Sequence, residues 1–132
     1  MSYAVLALLV VVAPCAGDTQ PHGPIVGLQE MVRMLAVEQG VDVERALETV
    51  RLESQWDPSA VGDEGQAVGL WQWWPDTWRW ACELCGYGEW SDPVNRLDPV
   101  KASIVAVDMI GRGWGRLWTG WRLAGYRIEE AA

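Results

Sequence analysis

A chain of 132 residues, half of them hydrophobic and carrying a formal net charge of −8, holds one folded domain and leaves no room for a second catalytic one. With 18 acidic against 10 basic side chains it has no basic stripe, which argues against nucleic acid as a partner. One Lys, no Phe and ten Trp, most of them between Trp56 and Trp90, point either to a surface that meets flat apolar faces or to a core built of indoles.

Met1 to Gly17 carry no charged side chain and contain the apolar run Ala4 to Ala13. That run is shorter than the roughly 20 residues of a membrane span and fits the core of a signal peptide. The small residues Ala13, Cys15, Ala16 and Gly17 offer cleavage points, and Val12-Ala13-Pro14-Cys15 is similar to a lipoprotein signal. The expectation is export, with residues 1–17 a cleaved peptide, a lipidated anchor or a retained hydrophobic anchor that associates with a membrane. Residues 18–24 hold two Pro, one Gly and the single His22 without apolar periodicity, so they read as a linker with His22 solvated. The folded domain is then residues 25–132, expected as a monomer.

From Ile25 to Glu38 the apolar positions Ile25, Leu28, Met31, Val32, Leu35 and Ala36 recur at helical spacing, and Gly40 stands where a helix would stop. A second helix starts from Asp42 as N-cap and runs to about Ser54, with Val43, Ala46, Leu47 and Val50 inward. Glu53 falls in its last turn. The C-terminal end of a helix carries partial negative charge, so a carboxylate there is harder to ionise. Shielding by Trp56, Trp71 and Trp73 would push the same way, favouring an acid that keeps its proton.

After the acid the chain continues through Pro58 to Gly69-Leu70-Trp71-Gln72, nineteen residues beyond Glu53. Glu53-Ser54, a Pro-containing loop and Gly-Leu-x-Gln, in this order and spacing, resemble the catalytic domain of soluble lytic transglycosylases and their goose-type lysozyme relatives. Trp73-Trp74-Pro75-Asp76-Thr77 is similar to the family's apolar-x-Pro-x-Thr segment, with Pro75 placed to open a helix, and Asp98-Pro99 to the start of its next helix. The resemblance covers about residues 47–121. Gly113-Trp114-Gly115-Arg116-Leu117-Trp118 looks like the compact, Trp-rich members found in phages and high-GC bacteria. Ala124-Gly125-Tyr126-Arg127 is the nearest counterpart of the family's Ala-Tyr-Asn segment, which makes Tyr126 a candidate substrate contact.

The resemblance implies an all-α, lysozyme-like domain of five or six short helices, with a small hairpin in the 57–68 loop. It implies an enzyme that cuts the β-1,4 bond between N-acetylmuramic acid and N-acetylglucosamine in peptidoglycan. Glycosidases normally use two carboxyl groups, but the lytic transglycosylases work with one acid, here Glu53. That residue protonates the leaving oxygen and then takes the proton of the sugar's 6-hydroxyl, closing a 1,6-anhydro ring; the double role needs a pKa near the working pH. Asp57, Asp63 and Glu64 are the carboxylates that could hold a water instead, as in a hydrolysing goose-type enzyme. A third alternative is a protein that binds peptidoglycan without cutting it.

Among the expected substrate contacts, Gln72 can donate and accept at once, matching N-acetyl groups and hydroxyls. Ser54 orients the acid or bonds its own helix. Gly69 and Leu70 form the tight turn that lines the substrate, and Trp71 and Trp73 stack on sugar faces. Trp78, Trp80, Trp114 and Trp118 are expected in the core. Cys82 and Cys85 have no second pair to make a zinc site, and a local disulfide fits an exported chain. The chemistry calls for no metal and no organic cofactor.

Overall fold

The computed structural model describes residues 24–131. The segments read above as leader and linker, His22 included, lie outside these residues except for Pro24, which opens a helix and does not end a linker. Five α-helices follow in order: α1 Pro24–Gln39, α2 Val43–Ser54, α3 Pro75–Cys85, α4 Pro99–Gly111 and α5 Thr119–Ala131. Between α2 and α3 lies a two-stranded antiparallel sheet, β1 Val61–Gly62 paired with β2 Ala67–Val68 in the register Val61 with Val68 and Gly62 with Ala67. Short 3-10 turns at Asp63–Gly65, Gly88–Trp90, Pro93–Leu97 and Gly115–Leu117 complete the connections. The all-α expectation and the hairpin in the 57–68 loop both hold.

The local signals act where the sequence places them. Gly40 adopts φ +68, and the Val41 amide reaches back 2.8 Å to the Ala36 carbonyl, closing α1 with a left-handed glycine. Asp42 Oδ1 accepts the Arg45 amide at 2.9 Å and caps α2. Asp98 accepts from Val100 and Lys101 at 2.9 and 3.2 Å to cap α4, with Pro99 in the first turn. From Ala102 to Ile110 that helix is buried on every side, so the other helices pack around it.

The indoles set the centre of the core. Trp71, Trp73 and Trp78 are essentially inaccessible, and Trp118 is buried with them. Trp73 meets Trp78 and Trp118 edge to face with ring centroids 5.3 and 4.9 Å apart, and Trp71 meets Trp118 at 5.7 Å. A buried indole N–H needs an acceptor, and each has one: Trp71 donates to Ser103 Oγ, Trp73 to Ala102 O, Trp78 to Trp90 O and Trp118 to Trp71 O, all within 3.2 Å. Truncating such a ring costs about 3–5 kcal/mol.

Two expectations about the core require correction. Trp80 is 40% exposed on the outer side of α3, edge-on to the partly buried Trp114 at 4.9 Å, because it follows the buried Trp78 by two residues, about 200° around the helix. Cys82 and Cys85 form no disulfide: both are free and buried, and desolvation pushes each thiol up to about 12.

The last helix is docked on α2 by polar contacts that include Arg45 and the Arg127–Glu48 ion pair at 2.8 Å. Arg45 Nε donates to the Trp121 carbonyl at 2.8 Å, and its guanidinium lies 4.1 Å from the Trp121 ring centroid. That dock carries the first turn of α5 to the end of α2. Among the described residues no helix is long and apolar enough to cross a membrane.

Candidate active site

Glu53 sits in the last turn of α2, partly buried, at the wall of a cleft of about 360 Å³. The cleft is lined also by Gly62 and Asp63 from the hairpin, by Gln72, Trp73, Trp74 and Thr77 from the segment that leads into α3, and by Leu117, Trp118 and Thr119 from the approach to α5. Its Oε2 accepts the Gly120 amide at 3.0 Å. Burial raises the Glu53 carboxyl above its ordinary range; the Gly120 N–H pulls it back, and the nearby Asp63 charge adds to the rise. The group thus keeps a proton to higher pH than a solvated glutamate does, as a general acid must.

The stretch that faces Glu53 holds a distinctive backbone. Among the described residues, the non-glycines with positive φ are Gln55, Trp56, Asp63, Glu64 and Gln72, all between the end of α2 and the start of α3. Each costs about 1–3 kcal/mol, and such residues gather where a site is shaped at the expense of stability. Gln72, at φ +52, shows how the wall is made. Its Nε2 donates to Ala60 O at 3.1 Å and Gly69 O at 2.9 Å, so its donor is committed to the loop. Its Oε1 lies against Gly62, where a Cβ would stand 2.7 Å away. Gln72 therefore offers the cleft an acceptor only, half of the donor-and-acceptor role expected of it.

The predicted contacts divide sharply. Glu53 and Gln72 share the cleft, and Trp73 reaches its wall while its ring remains 2% exposed. Leu70 and Trp71 are in the core at 0% exposure, which leaves no ring face on Trp71 for a sugar. Ser54 Oγ bonds the Val50 carbonyl at 3.2 Å and is buried, so it serves its own helix and leaves the acid alone. Gly69 adopts φ +85 beneath the Arg96 backbone, where a Cβ would overlap the carbonyl oxygen; its glycine is required by packing. Tyr126 is 64% exposed and lines a separate depression with Arg45, Arg122 and Glu129. Helix geometry accounts for this: Tyr126 follows Gly120 by six residues, about 240° around α5, so it turns away from Glu53.

Sequence reasoning missed Trp74, Thr77, Leu117, Thr119 and Gly120. Trp74 is 46% exposed, its ring lines the cleft, and its Nε1 donates to Asp63 Oδ2 at 3.2 Å. Trp73 bridges Val68 as a strand residue would, which turns its neighbours Gln72 and Trp74 to the other side. The carboxylates also separate. Asp63 lines the cleft, whereas Asp57 is exposed and held by Ser59, whose hydroxyl and amide keep its carboxyl below the usual range. Among the described residues no group of three or more His, Cys, Asp and Glu is arranged to hold a metal.

Glu53, its carboxyl raised by burial, thus shares a polar cleft with Asp63 and Gln72 on a helical domain cored by tryptophans. The family model of the transglycosylase SLT domain matches residues 30–125, and the chain belongs to that family. Searches of curated proteins and of solved structures return no match. Membership implies a transglycosylase in the broad sense and peptidoglycan as substrate.

Proposed function

We propose that this chain is a lytic transglycosylase that cuts the bond between N-acetylmuramic acid C1 and the O4 of N-acetylglucosamine in peptidoglycan. Glu53 gives its proton to the bridging oxygen, which leaves on N-acetylglucosamine as a free 4-hydroxyl. The muramic 6-oxygen then closes on C1 and passes its proton to Glu53, forming the 1,6-anhydro ring and restoring the acid without consuming water. The observation that carries this reading is the partly buried Glu53, its carboxyl raised by desolvation, at the wall of a polar cleft. Gln72 Oε1 accepts from a glycan N–H or hydroxyl, and the exposed Trp74 ring supports an apolar sugar face. Peptidoglycan lies outside the cytoplasmic membrane, so the uncharged N-terminal run is read as an export segment.

One observation favours a second reading. Asp63 lines the same cleft as Glu53, and a second carboxylate is what a hydrolase uses to activate a water. Digestion of purified peptidoglycan followed by mass analysis of the muropeptides separates the two. Products one water lighter, with anhydro ends, support the transglycosylase, and Asp63→Asn then retains activity. Reducing ends that disappear in Asp63→Asn support the hydrolase, and intact sacculi with bound protein would exclude both.

A further inference from the structure

Glu53 stands under two opposed helix ends. It closes α2, whose C-terminal carbonyls disfavour its charge, and it faces the first turn of α5, whose free amides favour it. Gly120 is the second residue of α5, so its N–H has no partner within that helix and is one of the orphan donors that every helix start presents. It is used on Glu53 Oε2 at 3.0 Å, across 67 residues of sequence.

The residue type matters as much as the amide. A Cβ at position 120 would lie 2.9 Å from Glu53 Oε2, 3.3 Å from its Cγ and 3.1 Å from the Thr49 carbonyl. Only glycine lets the α5 backbone come this close. The easiest atoms to move would be those at the end of the Glu53 side chain, so a methyl group here would displace the acid before it disturbed the fold.

We propose that Gly120 is the positioning residue of the catalytic acid, its N–H assigning the two carboxyl oxygens different duties. An oxygen that accepts an N–H is the carbonyl oxygen of the protonated form, so the proton rides on Oε1. Once that proton has been given to the leaving sugar, the N–H holds the charge left on the carboxylate until the 6-hydroxyl proton arrives. The α5 amide thereby makes the acid a better proton donor, while burial keeps it from losing its proton to solvent. Asp63 is the other charged side chain lining the cleft and acts in the opposite sense. This role rests on Glu53 being the acid of the reaction proposed above.

The test replaces the Thr119–Gly120 amide by an ester, with glycolate at position 120, which removes the donor and adds no bulk. An ester at Trp121 is the control, since it removes a neighbouring first-turn amide that does not touch Glu53. The Glu53 carboxyl is followed by carbon NMR against pH, and kcat and KM are measured on peptidoglycan.

With the ester at 120, the Glu53 midpoint rises and kcat falls about tenfold while KM stays within about twofold. The ester at 121 leaves all three unchanged. Gly120→Ala, which keeps the amide but crowds the carboxyl, lowers kcat roughly 100-fold with the circular dichroism spectrum retained. An unshifted Glu53 midpoint in the 120 ester, or an equal shift in the 121 ester, overturns the proposal. Because the titration needs no turnover, a wild-type protein that releases no muropeptide would refute the enzymatic reading while the NMR arm still decides whether Gly120 governs Glu53.

Discussion

Replacing Gly69 with alanine will cost this fold about 3 kcal/mol, more than half of it from a collision and the rest from a backbone preference. Gly69 sits at φ +85, and the left-handed conformation alone costs a residue with a Cβ about 1–2 kcal/mol. The added methyl would also overlap the Arg96 carbonyl oxygen and lie 3.2 Å from its carbon. Overpacking of this kind adds about 1–3 kcal/mol, and Arg96 has little freedom to yield. Its side chain donates to Pro93 O at 2.8 Å, Gln66 O at 2.7 Å and Trp73 O at 2.8 Å, tying the 93–97 turn to both sides of the cleft loop.

Gly65 is the internal control: φ is +91, yet nothing lies within 4 Å of a Cβ there, so Gly65→Ala carries the conformational cost alone. Urea unfolding followed by tryptophan fluorescence compares them. At an m-value of about 1–3 kcal/mol/M, the Gly69→Ala midpoint should fall by roughly 1–3 M and that of Gly65→Ala by half as much or less. Equal losses would refute the reasoning and return Gly69 to the substrate-lining role expected from the sequence.

Glu53→Gln should abolish lysis and yet stabilise the fold at neutral pH. Burial raises the folded-state pKa of Glu53, so wild-type stability is greatest where the group is protonated and declines as pH climbs through that raised value. Thermal midpoints of variant and wild type should agree below about pH 4 and diverge in favour of the glutamine at pH 7; a less stable variant at pH 7 contradicts the desolvation argument. Trp74→Ala should raise KM on glycan strands about tenfold with little change in unfolding midpoint, since the ring is 46% exposed; an unchanged KM would remove Trp74 from the site. Trp71→Phe loses the 2.9 Å bond to Ser103 and should cost about 1–3 kcal/mol of stability without weakening substrate binding. Weaker binding at full stability would count against its assignment to the core.

The helical class, the α2 boundaries and the place of Glu53 at a helix end were legible in the sequence, because they rest on local physics. Apolar spacing marks a helix face, Asp42 caps and Gly40 stops, and these signals act within a few residues of where they stand. The ordered Glu53 and Gly-Leu-x-Gln elements likewise fixed the family, which the match over residues 30–125 bears out.

What local signals cannot carry is which way a side chain turns once distant segments pack. The sequence offered ten tryptophans with equal appetite for a core or a sugar. The Gly69–Trp74 turn, tied down by Arg96 through the Trp73 carbonyl, packed Trp71 and Trp73 inward and left Trp74 to the cleft. The 240° between Gly120 and Tyr126 likewise turned a backbone amide toward the acid and the tyrosine expected as a substrate contact away from the cleft. The sequence determined that an acid would stand at the end of α2; only the docking of α5 on α2 decided what faces it, since its contacts join groups far apart in the chain.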